Sequence, residues 1–111
     1  MSLVLKQHDT KPDLVVTLTD DQATFEQVAS WRVIMRRGSD AAFIDDAPAV
    51  VADDTVTPHT ATITHTWQAT ETDTATYPGM RVEVEATWPD GSIQTFPPSG
   101  YLSVVITPDL A

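Results

Sequence analysis

The stretch Arg81-Val82-Glu83-Val84-Glu85-Ala86-Thr87-Trp88-Pro89-Asp90-Gly91-Ser92-Ile93-Gln94-Thr95-Phe96 decides the fold. Val82, Val84, Ala86 and Trp88 recur at every second position, with Arg81, Glu83, Glu85 and Thr87 between them, which is the pattern of a strand with one buried face. Pro89-Asp90-Gly91-Ser92 then supplies a preset φ and a residue tolerant of positive φ, so the chain turns and Ile93, Thr95 and Phe96 return antiparallel to the first strand.

Outward from this hairpin the same period recurs. Leu14, Val16 and Leu18 alternate with Val15 and Thr17 in a strand over Asp13–Thr19, closed by Asp20-Asp21-Gln22. Trp31, Val33 and Met35 alternate with Arg32, Ile34 and Arg36 before Arg37-Gly38-Ser39-Asp40 breaks the run. Ala42–Ile44 and Ala49–Ala52 read as two short strands around a turn at Asp45-Asp46-Ala47-Pro48. Thr60, Thr62, Thr64 and Thr66 share one strand face, with Ala61, Ile63, His65 and Trp67 on the other. Leu102, Val104 and Ile106 form a last strand, stopped by Pro108. The segment Gln68–Thr76 reads as a loop or one helical turn, because its threonine content disfavours a stable helix. The segment from Met1 to about Pro12 reads as an edge strand or a docking arm.

Seven or eight short strands without longer helical periodicity predict an antiparallel all-β sandwich, in a single domain over residues 1–111. The spacing Asp73, Ala75, Tyr77 resembles the tyrosine corner of immunoglobulin-like sandwiches. Gly79 stands where an antibody domain has its second cysteine, and the chain has no cysteine. The core must therefore hold by apolar packing alone, which 111 residues allow.

Six Lys and Arg against sixteen Asp and Glu give a formal net charge of −10. Such a surface repels phosphate backbones and anionic membranes, so neither nucleic acid nor membrane is an expected partner. No apolar run approaches the roughly 18 residues of a membrane span, and Met1-Ser2-Leu3-Val4-Leu5-Lys6 is too short for a signal peptide, so a soluble intracellular product is expected.

Catalytic chemistry is sparse. His8, His59 and His65 fall in no recognised metal or triad spacing, and His65 shares the Ile63 and Trp67 face, as a hydrogen-bonded core histidine would. Asp20-Asp21, Asp45-Asp46 and Asp53-Asp54 lack the spacing of a calcium loop and read as solvated turn formers. Neither a phosphate-cradling glycine loop nor a nucleophile elbow is present. The expectation is a non-enzymatic protein with no catalytic, cofactor or metal residues. Arg32, Arg36 and Arg37 cluster on and just after one strand; the patch can dock an acidic partner, or Arg32 and Arg36 can pair across strands with Glu83 and Glu85. The threonine face either meets water or accepts a neighbouring sheet or subunit.

Leu5-Lys6-Gln7-His8-Asp9-Thr10, Val33-Ile34-Met35-Arg36-Arg37, Asp73-Thr74-Ala75 before Tyr77, and Trp88-Pro89-Asp90-Gly91 followed by Thr95-Phe96-Pro97 together resemble the N-terminal domain of phage baseplate upper proteins. The resemblance spans almost the whole chain. That family is a small immunoglobulin-like sandwich of tailed phages of Gram-positive bacteria, anchoring a receptor-binding apparatus to the tail or standing alone in the virion. It implies a virion protein made in the host cytoplasm, whose partners are tail, baseplate or major capsid proteins and further copies of itself. Fuller members continue into a helical or trimerising segment, whereas this sequence stops at Asp109-Leu110-Ala111, which favours an adaptor or a decoration protein over a receptor-binding tip. The expected contacts are Leu3, Leu5, Lys6 and His8 of the arm, Arg32, Arg36 and Arg37, and Pro97 and Tyr101 of the segment before the last strand.

Two alternatives accompany that reading. One is a capsid decoration protein bracing the major capsid lattice. The other is a carbohydrate-binding module with Trp31, Trp67, Trp88, Tyr77 and Tyr101 as its platform; the strand phases instead place the three tryptophans on apolar faces.

Overall fold

Inward-facing rows from the alternating segments meet across two sheets. A computed structural model describes residues 2–37, 44–72, 76–97 and 102–108. The strands are β1 (Ser2–Lys6), β2 (Leu14–Asp20), β3 (Ser30–Arg37), β4 (Ile44–Asp46), β5 (Ala49–Asp53), β6 (His59–His65), β7 (Thr76–Thr87), β8 (Ile93–Phe96) and β9 (Leu102–Thr107). The larger sheet has the order β1-β9-β7-β3-β4, with β8 also on β7, and the smaller has the order β2-β6-β5. This is the strand order of an immunoglobulin-like sandwich. Helical structure among the described residues is confined to single 3-10 turns at Phe25–Gln27 and Ala69–Glu71, the second within the segment read as a loop or one helical turn.

The core combines Leu14 and Val16 of β2, Val33 and Met35 of β3, Ala61 and Ile63 of β6, Met80, Val82, Val84 and Ala86 of β7, and Val104 and Ile106 of β9, all buried. Trp67 lies among them, its Nε1 donating to the Pro12 carbonyl at 3.1 Å. Trp31 and Trp88 are half-buried and pack against the same cluster. Each large apolar side chain removed from water in this way contributes about 1.5–3 kcal/mol. The 88–92 hairpin closes as read, with Gly91 at φ +88°, its N–H donating to the Trp88 carbonyl, and the Trp88 N–H donating to Ser92.

Three features depart from expectation. First, the N-terminal segment takes its edge-strand alternative, and β1 runs parallel to β9 (Leu3↔Val104, Leu5↔Ile106), so the sandwich is not wholly antiparallel. The phase that pairs Leu5 with Ile106 turns its side chain into the core at 2 % exposure, which withdraws Leu5 from the expected contacts. Second, Asp45 and Asp46 are strand residues, not a turn: β4 pairs with β3 in the larger sheet (Ile34↔Asp45), and Ala47-Pro48 carries the chain across to β5 in the smaller. Ala42 and Phe43, expected in this strand, lie outside the described residues. Third, nine strands are described where seven or eight were expected.

The tyrosine corner rests on Asp73, Ala75 and the Tyr77 side chain, which lie outside the described residues. Gly79 next to it has a physical reason to be glycine. Its φ is +144°, and a Cβ there would stand 2.9 Å from the Ser103 Oγ and 3.1 Å from the Val104 carbonyl oxygen. It occupies an irregularity in the β7–β9 register between Thr76 and Met80. Gly91 also has positive φ, but nothing lies within 4 Å of its missing Cβ. Both substitutions strain the backbone, but Gly79→Ala also meets β9, so in urea denaturation it should cost more stability than Gly91→Ala, by about 1–3 kcal/mol; equal costs would contradict the close approach to β9.

Candidate docking faces and a side-chain cluster

The outer faces of the two sheets differ in chemistry because the same alternation buries one set of residues and exposes another. On the larger sheet the outward residues are Arg32, Ile34 and Arg36 of β3, Arg81, Glu83 and Glu85 of β7, and Asp45 of β4. Arg32 is pinned between two carboxylates: Nε donates to Asp45 Oδ1 at 2.8 Å, a second N–H donates to Asp45 Oδ2, and Nη1 donates to Glu85 at 3.1 Å. The pairing alternative thus describes Arg32, although Asp45, not Glu83, is its second partner. Arg36 faces Arg81 across the strand and is exposed. Arg37 is half-buried opposite Met80.

On the smaller sheet the outward positions form a three-by-three grid: Val15, Thr64 and Ala49; Thr17, Thr62 and Val51; Thr19, Thr60 and Asp53. Its single charge, Asp53, sits at a corner and already accepts hydrogen bonds from the Thr55 N–H and hydroxyl. Val51 is 73 % exposed and Val15 46 %. Among the described residues the flanking strands β2 and β5 each pair only with β6, so none of these residues covers either outer edge. Along them the only charges are the terminal residues Asp20 and Asp53. On the larger sheet β4 is blunted, having three residues, two of them aspartate, while β1, like β2 and β5, carries a single charge, Lys6, at its end.

The expected contact residues do not form one surface. Lys6 and His8 are exposed at the end of β1, Leu3 packs half-buried on the core, and Pro97 is half-buried after β8. Tyr101 lies outside the described residues. The neutral grid was noticed in the sequence only as its central threonine column; Val15, Ala49 and Val51 join it through pairings that no local pattern reports. Trp88 borders an open groove with Asp20, Gln22, Asp90 and Gln94, while Trp67 is in the core and Trp31 packs against Phe25. Among the described residues that line this groove Trp88 is the one aromatic, so they form no aromatic platform.

Two histidines are held by acidic groups. His59 Nδ1 lies 2.6 Å from the Ala23 carbonyl, which can only accept, so Nδ1 carries a proton. Asp54 Oδ1 stands 3.6 Å from the same nitrogen. Asp54 and Glu26 exchange hydrogen bonds, each carboxylate accepting the other's backbone N–H, and so tie the loop after β5 to the 3-10 turn after β2. His65, 4 % exposed, has Nε2 3.1 Å from Glu71 Oε1, in keeping with a hydrogen-bonded core histidine. Asp46 stands near this pair: one ligand atom from each of Asp46, His65 and Glu71 lies within 4.8 Å of the others. The sequence could not show this, since the three come from three separate elements.

Compared with protein families, with characterised proteins and with solved structures, the chain has no match.

Four aspartates have pKa values below the ordinary carboxyl range: Asp45 through its hydrogen bonds from Arg32, Asp20 through the backbone N–H groups of Gln22 and Ala23, Asp53 through Thr55, and Asp90 through Ser92. Apart from Asp45 these are the turn-forming aspartates anticipated from sequence. A carboxyl with a depressed folded-state pKa contributes stability above its unfolded value of about 4, and that contribution is lost as pH falls through the folded value. The urea midpoint should accordingly fall as pH is lowered below about 4. In Arg32→Ala, carboxyl NMR should show Asp45 titrating at higher pH while Asp20 and Asp90 stay unchanged; an unmoved Asp45 would remove the Arg32 pairing.

Proposed function

We propose that this chain is a non-enzymatic structural protein of a tailed-bacteriophage virion. It acts as a tail or baseplate adaptor or accessory protein, docking through the outer face and open edges of its three-stranded sheet. The observation that carries the reading is the neutral β2-β6-β5 face on a chain of net charge −10. Depletion of charge at the centre of a contact surface is the compositional mark of protein interfaces. Threonine, valine and alanine on a pleated sheet give a regular surface with little side-chain entropy to lose on contact. Unpaired backbone groups along β2 and β5 offer a partner strand hydrogen bonds with little charge to repel it. The opposite face is a lattice of both signs, and Arg32 there is already satisfied internally. This moves the docking surface from the arginines to the threonines.

The virion setting comes from the resemblance to the baseplate upper protein N-terminal domain, whose sandwich attaches other components through protein contacts. Attachment to the capsid shell instead of the tail would use the same kind of face and differ in copy number. Heads and tails of the phage that encodes this chain can be separated and the protein quantified by mass spectrometry against the major capsid protein. The expected result is enrichment in tails at a small fraction of the capsid protein's abundance. Enrichment in heads at near-lattice abundance would make it a decoration protein, and absence from both fractions would remove the virion reading.

A further inference from the structure

We propose that Asp46, His65 and Glu71 form a binding site for one divalent transition-metal ion, with Zn²⁺ the best match, which clamps the two sheets together where the chain crosses between them.

The site follows from strand parity. In β4, Ile44 points into the core and Asp45 points out to Arg32, so Asp46 has the inward phase at the last residue of the strand. In β6, Ala61 and Ile63 point inward, and His65 ends the same row. Two inward rows, one from each sheet, thus each finish in a metal-ligating residue at the same end of the sandwich. The 3-10 turn at Ala69–Glu71 brings Glu71 to the same place. A cleft of about 250 Å³, lined by Asp46, Pro48, Thr66 and Gln68 as well as His65, opens onto the cluster and gives an ion and a coordinating water a route in.

Distances suit a small tetrahedral ion. Two ligand atoms about 2.1 Å from one tetrahedral centre stand about 3.4 Å apart. His65 Nε2 and Glu71 Oε1 are 3.1 Å apart, so a few tenths of an ångström of relaxation admits the ion between them. Asp46, exposed and with no hydrogen bond or ion pair described for its carboxylate, closes the third position by a small rotation. The other two ligands are held in place. The Gln68 N–H donates to Glu71 Oε1 at 2.8 Å, and the Trp67 ring meets the imidazole edge-on at a centroid distance of 4.9 Å. Such outer contacts fix ligand orientation before the ion arrives.

One imidazole nitrogen and two carboxylate oxygens, with water in the fourth place, suit Zn²⁺. Calcium wants six to eight oxygens, and magnesium gives up its waters reluctantly for an octahedral shell. Binding replaces the Nε2–H donation to Glu71 with a metal–nitrogen bond. The ring proton moves to Nδ1 or leaves, so affinity should fall as pH is lowered.

The test is isothermal titration of the tag-free chain with ZnCl₂, with MgCl₂ and CaCl₂ as comparisons, followed by imidazole ¹⁵N NMR. The expected result is one Zn²⁺ per chain, no binding of magnesium or calcium, and perturbation of the His65 ring with His8 and His59 unchanged. Asp46→Asn, at an exposed position and so expected to leave the circular dichroism spectrum intact, should weaken binding by at least about tenfold. No zinc binding, perturbation at His8 or His59 in place of His65, or an unaltered affinity in Asp46→Asn would overturn the proposal.

Discussion

The inward row of β7 is the constraint on which the rest of the molecule depends. Met80, Val82, Val84 and Ala86 are fully buried, and the strand that carries them pairs with β3 on one side and with β8 and β9 on the other. Without cysteine, no covalent bridge joins the sheets. A slip of one residue in β7 would turn Arg81, Glu83 and Glu85 into the core, where unpaired charges are prohibitively costly. The register of the whole larger sheet is fixed by that penalty. The same register sets Glu85 across from Arg32, and so completes the Arg32 bridge to Asp45.

From that register follows a division of labour between the two outer faces. On the larger sheet the outward positions carry charges of both signs, with Arg32 bridging Asp45 and Glu85, and the edge strand β4 is short and acidic. On the smaller sheet β6 contributes inward Ala61, Ile63 and His65 and outward Thr60, Thr62 and Thr64, so its buried side builds the core while its outward side stays neutral. Among the described residues both flanking strands there have a free edge. The crossing at Ala47-Pro48 links the two systems: Asp45 belongs to the charged face, and Asp46, one residue on, to the cluster with His65 and Glu71.

Period-two alternation made most of this legible in the sequence. It placed β2, β3, β6, β7 and β9, the hairpin at Trp88–Ile93, and the inward phase of His65 and Trp67, because each is a local pattern that packing reinforces. Tertiary contact decided what local pattern could not. Asp45-Asp46 looks like a turn by propensity but is held extended by pairing with β3 and by Arg32. Leu5 sits in a segment that reads as either an edge strand or a docking arm, and its parallel pairing with β9 draws it into the core. The neutral grid and the Asp46, His65 and Glu71 cluster are each assembled from distant elements, so only the pairing of strands brings them into view.

The claim that function runs through the smaller sheet's outer face can be tested directly by particle incorporation. Val51 and Thr17 are exposed on that face, so the double substitution Val51→Lys, Thr17→Lys should leave stability within about 0.5 kcal/mol per site. It should sharply reduce the amount of the protein recovered in purified phage particles, while Arg36→Glu on the opposite face leaves recovery unchanged. Normal incorporation of the lysine variant, together with loss in Arg36→Glu, would contradict the account and return the contact to the arginine face.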